Sequence, residues 1–322
     1  MRRRTFLTLP GMGLPMLASA QQFGATGRVM VGFAAGGAGD FVARTVAEHL
    51  RSRNFAPSVI VDNRPGVGGV LAVQALKGSI ADGLTLLNTP ASVLTILPHT
   101  HKKLPFDSLQ DVTPIATLSD LDFAVVAGAA TPAKTLQELI ALAKRDPAMA
   151  VFGTAGVGTM SHVVGVQLGR RAGVNLVHVP YRGGAPVLQD AMGGQVPIAI
   201  LALSDLLLRG HQEGRIRVLA TSGTKRTRFL PEVPTIEEAG YKGVGASDWN
   251  TIVAPPKTPP QVVERLSRLV MEITADPAFA TTIGKFCLEP LRLNHEQFAA
   301  RLKAEYEAMG RFVKEERITI DS

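Results

Sequence analysis

Short apolar runs alternate, through most of the chain, with longer segments whose apolar residues recur at helical spacing. The runs are Val29 to Phe33, Ser58 to Val61, Leu84 to Leu87, Phe123 to Val126, Leu176 to Val179, Pro197 to Leu201 and Ile216 to Ala220. A strand followed by a helix returns to the same edge of a sheet, so the pattern predicts an α/β protein with mostly parallel sheets flanked by helices. Helix starts are legible between the runs. Thr135-Leu136-Gln137-Glu138 is a capping box, in which hydroxyl and carboxylate satisfy amides at a helix start, and it opens a helix to about Arg145. The chain ends differently, in two amphipathic helices over 260–274 and 294–316. Asn294 with Gln297 caps the second, and Phe298, Leu302, Tyr306, Met309 and Val313 form its apolar stripe.

Two of the strand-to-helix junctions are rich in glycine. Phe33-Ala34-Ala35-Gly36-Gly37-Ala38-Gly39-Asp40 opens a helix with Phe41, Val42, Val46 and Leu50 on one face, and Phe152-Gly153-Thr154-Ala155-Gly156-Val157-Gly158-Thr159-Met160-Ser161-His162 opens another. Glycine lets backbone approach a ligand closely, and the free amides and positive dipole end of the following helix favour an anion. Either turn alone is explained by chain reversal; the pair, in separate halves of the chain, suggests a small acid held between two lobes. Gly37 and Gly156 are then both expected to resist any side chain. Neither turn supplies the Lys and hydroxyl of a P-loop, and Gly37-Ala38-Gly39 does not continue as a dinucleotide fingerprint.

Arg2-Arg3-Arg4, an apolar stretch from Phe6 to Leu17 and Ala18-Ser19-Ala20 compose a signal peptide over residues 1–20, cleaved after Ala20 and too short to span a membrane. Arg3-Arg4-Thr5-Phe6-Leu7 fits the twin-arginine address, and a Sec signal also begins with basic residues, so the export route stays open. The mature protein is expected in the periplasm. Losing this segment removes three arginines and no acids, lowering the formal charge from +7 to +4. That surplus is too small and too scattered for a nucleic-acid partner. Cys287 is the only cysteine, read as a buried, inert thiol in a fold without an internal disulfide. His99 and His101 lack a third ligand at a metal spacing, so no metal site is expected, and no cofactor. Ser161 adjoins His162, but neighbours on a helix do not face each other and G-x-S-x-G is absent. No catalytic residue is assigned, and a secreted hydrolase is the weakest reading.

Further motifs follow in a fixed order: Asp62-Asn63-Arg64-Pro65-Gly66-Val67-Gly68-Gly69, Asp82-Gly83-Leu84-Thr85-Leu86-Leu87, Lys103-Leu104-Pro105-Phe106-Asp107, Val179-Pro180-Tyr181-Arg182-Gly183, Gly193-Gly194-Gln195-Val196, Val233-Pro234-Thr235 and Ala254-Pro255. With the first glycine turn and Ala43-Arg44, this string resembles the substrate-binding proteins of tripartite tricarboxylate transporters, the Bug family, over essentially all of the mature chain. The resemblance implies a two-lobed, type II periplasmic-binding-protein fold of the Venus-flytrap kind. Such a protein, a monomer, holds a small organic acid or amino acid between its lobes through backbone amides and ordered water. It delivers the ligand to the membrane components of a transporter, or presents it to a sensor kinase.

By resemblance the first ligand turn falls on Phe33, Ala35, Gly36, Gly37, Ala38, Gly39 and Asp40, and the loop after the third strand contributes Thr89, Ala91 and Ser92. The other lobe contributes Thr154, Ala155, Gly156, Thr159, Ser161 and His162, with Tyr181 and Arg182 on a following loop. Residues 25–120 with 225–322 make the first lobe and 121–224 the second, with crossings near 113–120 and 221–227. Asp40 also reads as a helix N-cap and Arg44 as a partner of Glu48. Three departures from the family pattern concern the pocket wall: Gly39 stands where a hydroxyl is common, Pro197 opens an apolar run, and Trp249-Asn250-Thr251 replaces Trp-x-Gly.

Overall fold

The computed structural model describes residues 26–245 and 247–315. The expected signal peptide over 1–20, its cleavage after Ala20 and residues 316–322 of the expected first lobe lie outside the described residues. Strand β1 (Thr26–Val31) carries Val29, Met30 and Val31 almost wholly out of solvent, between β2 (Ser58–Asn63) and β3 (Thr85–Pro90) and parallel to both. The chain returns between these strands through α1 (Ala38–Ser52) and α2 (Val70–Lys77). Val42, Val46 and Leu50 of α1 are fully buried, each a contribution of about 1.5–3 kcal/mol from apolar burial. Two single-turn helices, α3 (Ser92–Thr95) and α4 (Leu97–Thr100), precede β4 (Thr113–Leu121) at the sheet's edge.

Past Leu121, Asp122 alone separates β4 from β5 (Phe123–Ala127), which belongs to a second sheet. Helix α5 (Leu136–Arg145) then leads to β6 (Val151–Thr154), α6 (Met160–Ala172), β7 (Val177–Pro180), α7 (Gly184–Met192), β8 (Ile198–Ala202), α8 (Asp205–Gln212) and β9 (Arg217–Thr221). The chain re-enters the first sheet as β10 (Asp248–Ala254) and finishes with α9 (Pro260–Ala275), α10 (Pro277–Gly284) and α11 (His295–Glu315).

The two sheets have one plan. The first runs β2-β1-β3-β10-β4 and the second β7-β6-β8-β5-β9. In each, four strands point one way and the fourth in order, β10 or β5, runs against its neighbours. That reversed strand is the one arriving from the other sheet, so the lobes share their hinge elements. The seven runs in the sequence fall on β1, β2, β3, β5, β7, β8 and β9. They miss β4, β6 and β10, and the start of β10, Asp248-Trp249-Asn250-Thr251, is rich in polar residues although all seven of its positions are buried.

The return crossing lies later than the expected 221–227. Thr221 donates its amide to the Pro234 carbonyl and accepts from Ile236, while Gln137 Nε2 donates to the Ala239 carbonyl. Ile236, Ala239 and Val244 are buried as well. Residues 225–245, expected in the first lobe, therefore stay against the second sheet, because their apolar positions have their partners there. Both expected caps form. Thr135 Oγ accepts from the Glu138 amide, and Asn294 and Gln297 exchange bonds at the start of α11, whose Phe298, Leu302 and Val313 are buried.

Candidate functional site

A cavity of ≈ 90 Å³ opens between the lobes, where β1 and β6 end and α1 and α6 begin. At about 30 Å³ per water this is room for roughly three waters, so a ligand seated here is small or widens the cleft. Gly36, Gly37, Ala38 and Gly39 line it from the first lobe, and Ala155, Thr159, Met160 and Ser161 from the second. The first amides of each helix have no intrahelical acceptor, so both helices present donors and a positive dipole end to the same space. Phe33 and Ser92, also expected at the site, line the cavity too.

The first turn is held from behind. Asp40 lies within the first turn of α1, while Gly37 is the N-cap, so the expected capping role is displaced by three residues. Its carboxylate accepts from the Gly36 amide at 3.0 Å, Arg44 Nε at 2.9 Å and Asn63 Nδ2 at 3.0 Å, and it is not among the cavity-lining residues. Burial alone would raise its pKa, but the bonds from Arg44, Gly36 and Asn63 outweigh that and hold it below the ordinary carboxylate value. Arg44 thus pairs with Asp40, four residues back, and not with Glu48.

The second turn is held by neutral groups. Thr159 is the N-cap of α6: its Oγ accepts from the His162 amide, donates to the Gly156 carbonyl at 2.8 Å and meets Ser161 Oγ at 2.9 Å. His162 Nδ1 accepts from the Gly158 amide, and its ring stacks on His178 with centroids 3.9 Å apart. Burial lowers the His162 pKa to about 4; burial, then repulsion from His162, lowers that of His178 to about 3. Both imidazoles are therefore neutral at pH 7. Thr154 Oγ meets His178 Nε2 at 2.7 Å and donates to the Gly156 carbonyl, so its hydroxyl is taken up inside the turn.

Thr89, Ala91, Thr154, Gly156, His162 and Tyr181 support the cavity wall without lining it. Thr89 and Ala91 lie in hydrogen bonds with β10, through Thr251 Oγ and the Trp249 carbonyl. Tyr181 donates to Asp190 at 2.8 Å, and burial together with that carboxylate raises its pKa to about 12. Ala35 and Arg182 are exposed. The Arg182 carbonyl nonetheless matters, because the Ala34 amide donates to it across the cleft at 2.9 Å. Nearby, a Cβ on Gly68 would collide with the Val157 carbonyl, and one on Gly183 would stand 3.1 Å from the Ala34 nitrogen. Glycines thus form a seam along which the two lobes touch.

The residue pattern also misses part of the wall. Leu121, Phe123, Leu188, Leu201 and Leu206 make much of it apolar, and Asp248 and Asn250 bring polar groups from β10. Asp248 Oδ1 accepts the amides of Ser92 at 3.1 Å and Trp249 at 2.8 Å. Burial pushes its pKa up to about 6 against those bonds and one from the Ser92 side chain, and Glu305 pushes the same way. No cluster of His, Cys, Asp or Glu among the described residues is arranged to hold a metal ion. Cys287 is buried, which pushes its thiol up to about 12.

A model of the tripartite tricarboxylate transporter family receptor matches residues 42–318, a span that begins just after the first glycine turn and includes the second. The chain belongs to this family. A UPF0065 protein of Bordetella bronchiseptica is 36% identical over 278 residues, 86% of this chain and 82% of that protein. The periplasmic binding protein BugD superposes with a TM-score of 0.85 at 29% identity, covering 91% of this chain and 98% of BugD. Rpa4515 of R. palustris, solved with adipate, gives 0.85 at 26% identity with the same coverages. The protein is thus a two-lobed solute-binding receptor of the tripartite tricarboxylate type, not an enzyme. The adjacent Ser161 and His162 are engaged within the turn itself: the imidazole accepts from Gly158 and the hydroxyl meets Thr159. Among the described residues no helix is long and apolar enough to cross a membrane.

Proposed function

We propose that this receptor captures a small carboxylate in the periplasm, between its lobes, and hands it to the membrane components of a tripartite tricarboxylate-type transporter. The observation that carries this reading is the convergence of two helix N-termini, α1 and α6, on one cavity from opposite lobes. A carboxylate there would accept from the free amides of both helices, and would gain from both dipoles at once. Ordered water can complete the contacts that the apolar wall does not supply. Adipate in Rpa4515 agrees with this chemistry.

In this reading residues 26–121 with 248–315 move as one body and 123–245 as the other, about the crossings at Asp122 and 246–247. A ligand touching both turns would stabilise the touching arrangement over an open one, as hinge closure around a ligand requires. The test is a thermal-shift screen of organic acids and amino acids, followed by calorimetry, because a ligand that binds only the folded state raises its apparent stability. Stabilisation by sugars or cations alone would sink the proposal.

A further inference from the structure

Asp248 and Asn250 are two apart on β10, so they share one face of the strand, and both line the cavity. Each is at most 3% exposed. The Asp248 carboxylate is held by two backbone amides and the Ser92 side chain, and the groups acting on it include no basic residue. Asn250 Nδ2 donates to Ser119 Oγ at 3.1 Å, while its Oδ1 is buried with no partner among the described residues. A buried carboxyl without a counter-cation beside an orphaned acceptor is a costly arrangement if nothing fills it. In a ligand cavity the missing partner can come from the ligand. The cavity therefore carries two unlike sets of polar groups, amides and hydroxyls at the starts of α1 and α6 and acceptors on β10, in a wall that also contains leucines and Phe123.

We propose that Asp248 and Asn250 seat an ammonium group, so that the ligand is a small neutral amino acid with an apolar side chain. This rests on the carboxylate reading, since the acid end of the same molecule occupies the two helix starts. A dicarboxylate would set its second negative group against Asp248, and a simple fatty acid would leave both acceptors unsatisfied. A small amino acid satisfies both ends, and its side chain meets the apolar wall.

Calorimetry on the wild-type protein would compare L-alanine, L-valine and L-leucine with propanoate, 3-methylbutanoate and 4-methylpentanoate, which have the same skeletons without the amino group. An amino acid is expected to bind on the order of ten- to a hundredfold more tightly than its matched acid, the range for a hydrogen-bonded charge. Asp248→Asn should abolish that preference, so that an amino acid and its matched acid bind the variant equally. Equal affinity for both members of each wild-type pair would overturn the proposal, whatever the variant does. Binding of adipate alone would overturn it and leave the carboxylate reading standing. If no acid of any kind bound, both would fall together.

Discussion

The two glycine turns occupy equivalent places in equivalent lobes, yet they are built with opposite chemistry. The first is clamped by an ionised carboxylate, Asp40, with three donors around it; the second by a threonine cap and two stacked neutral imidazoles. Both devices keep their charge away from the cavity. Asp40 is turned behind its helix and neutralised by Arg44, and the histidines carry no charge at pH 7. In the proposed reading the anion site is thus rigid without a fixed cation at the ligand: the donors would be amides, and the supporting groups would only fix their direction.

The sharpest difference between the turns lies in their glycines, which the sequence reading treats alike. Gly37 has φ −86°, open to any residue, and a Cβ there would meet its nearest atoms at 3.9 Å. Gly156 has φ +156°, and its Cβ would stand 3.1 Å from Gly68 Cα across the cleft. Gly156→Ala is therefore expected to weaken ligand binding at least tenfold, with backbone strain of about 1–3 kcal/mol added to the close contact. Gly37→Ala should change it little. Small-angle scattering with and without ligand would show closure lost in the first variant and kept in the second. Equal behaviour of the two would dissolve the distinction.

Asp40→Asn probes the clamp of the first turn. Removing the charge that Gly36, Arg44 and Asn63 share should cost about 1–2 kcal/mol, read as a lowered melting temperature. The pH sense follows from the folded pKa lying below the unfolded one of about 4. The wild-type advantage is present above about pH 4 and is lost as pH falls through the folded value. An advantage that persisted at lower pH would assign the stability to packing.

Much of this arrangement was legible in the sequence, and the reasons are specific. Strand-helix alternation, the Thr135 and Asn294 caps and the two glycine turns all depend on near neighbours in the chain, so a one-dimensional pattern carries them. Nine of the eighteen expected site residues, from Phe33 to Ser161, line the cavity. The remaining nine, such as Thr154, His162 and Tyr181, stand behind or beside the wall, because a motif gives nearness along the chain and not the direction of a side chain. Leu188, Leu201 and Asp248 were out of reach for the opposite reason. They reach the cavity only through sheet order and the inter-lobe crossings, and apolar residues on a strand look like core until the second lobe closes over them.

Acid titration separates the two turns. For His162 and His178 the folded pKa values, about 4 and 3, lie below the unfolded value of about 6.5. Their neutral, stacked state contributes stability above about pH 6.5, and this is lost as pH falls toward 4, by about 1.4 kcal/mol per pH unit for each proton the unfolded chain takes up in excess. The second turn thus weakens in a window that lies above the folded pKa of Asp40. The difference in melting temperature between wild type and His178→Phe, measured from pH 7 to pH 4, cancels groups elsewhere in the molecule. It should change steadily through that range, and a difference independent of pH would mean the imidazoles are not buried neutral.

A small effect is expected at Ser161, although it lines the cavity. Thr159 has one proton, which the short bond to the Gly156 carbonyl uses, so in the 2.9 Å contact between the hydroxyls Ser161 is the donor. A ligand anion is then left with the amides, unless Ser161 gives up Thr159 to turn toward it, and the exchange of one bond for another is nearly neutral. Ser161→Ala should therefore weaken binding by no more than about 1 kcal/mol, roughly fivefold, in calorimetry. Thr159→Ala should instead lower the melting temperature, by the loss of about 1 kcal/mol typical of an N-cap, because its oxygen holds the His162 amide as well as the Gly156 carbonyl. A loss of a hundredfold in affinity for the Ser161 variant would reverse the assignment, making the hydroxyl a direct ligand donor and the second turn as dependent on its side chains as the first is on Asp40.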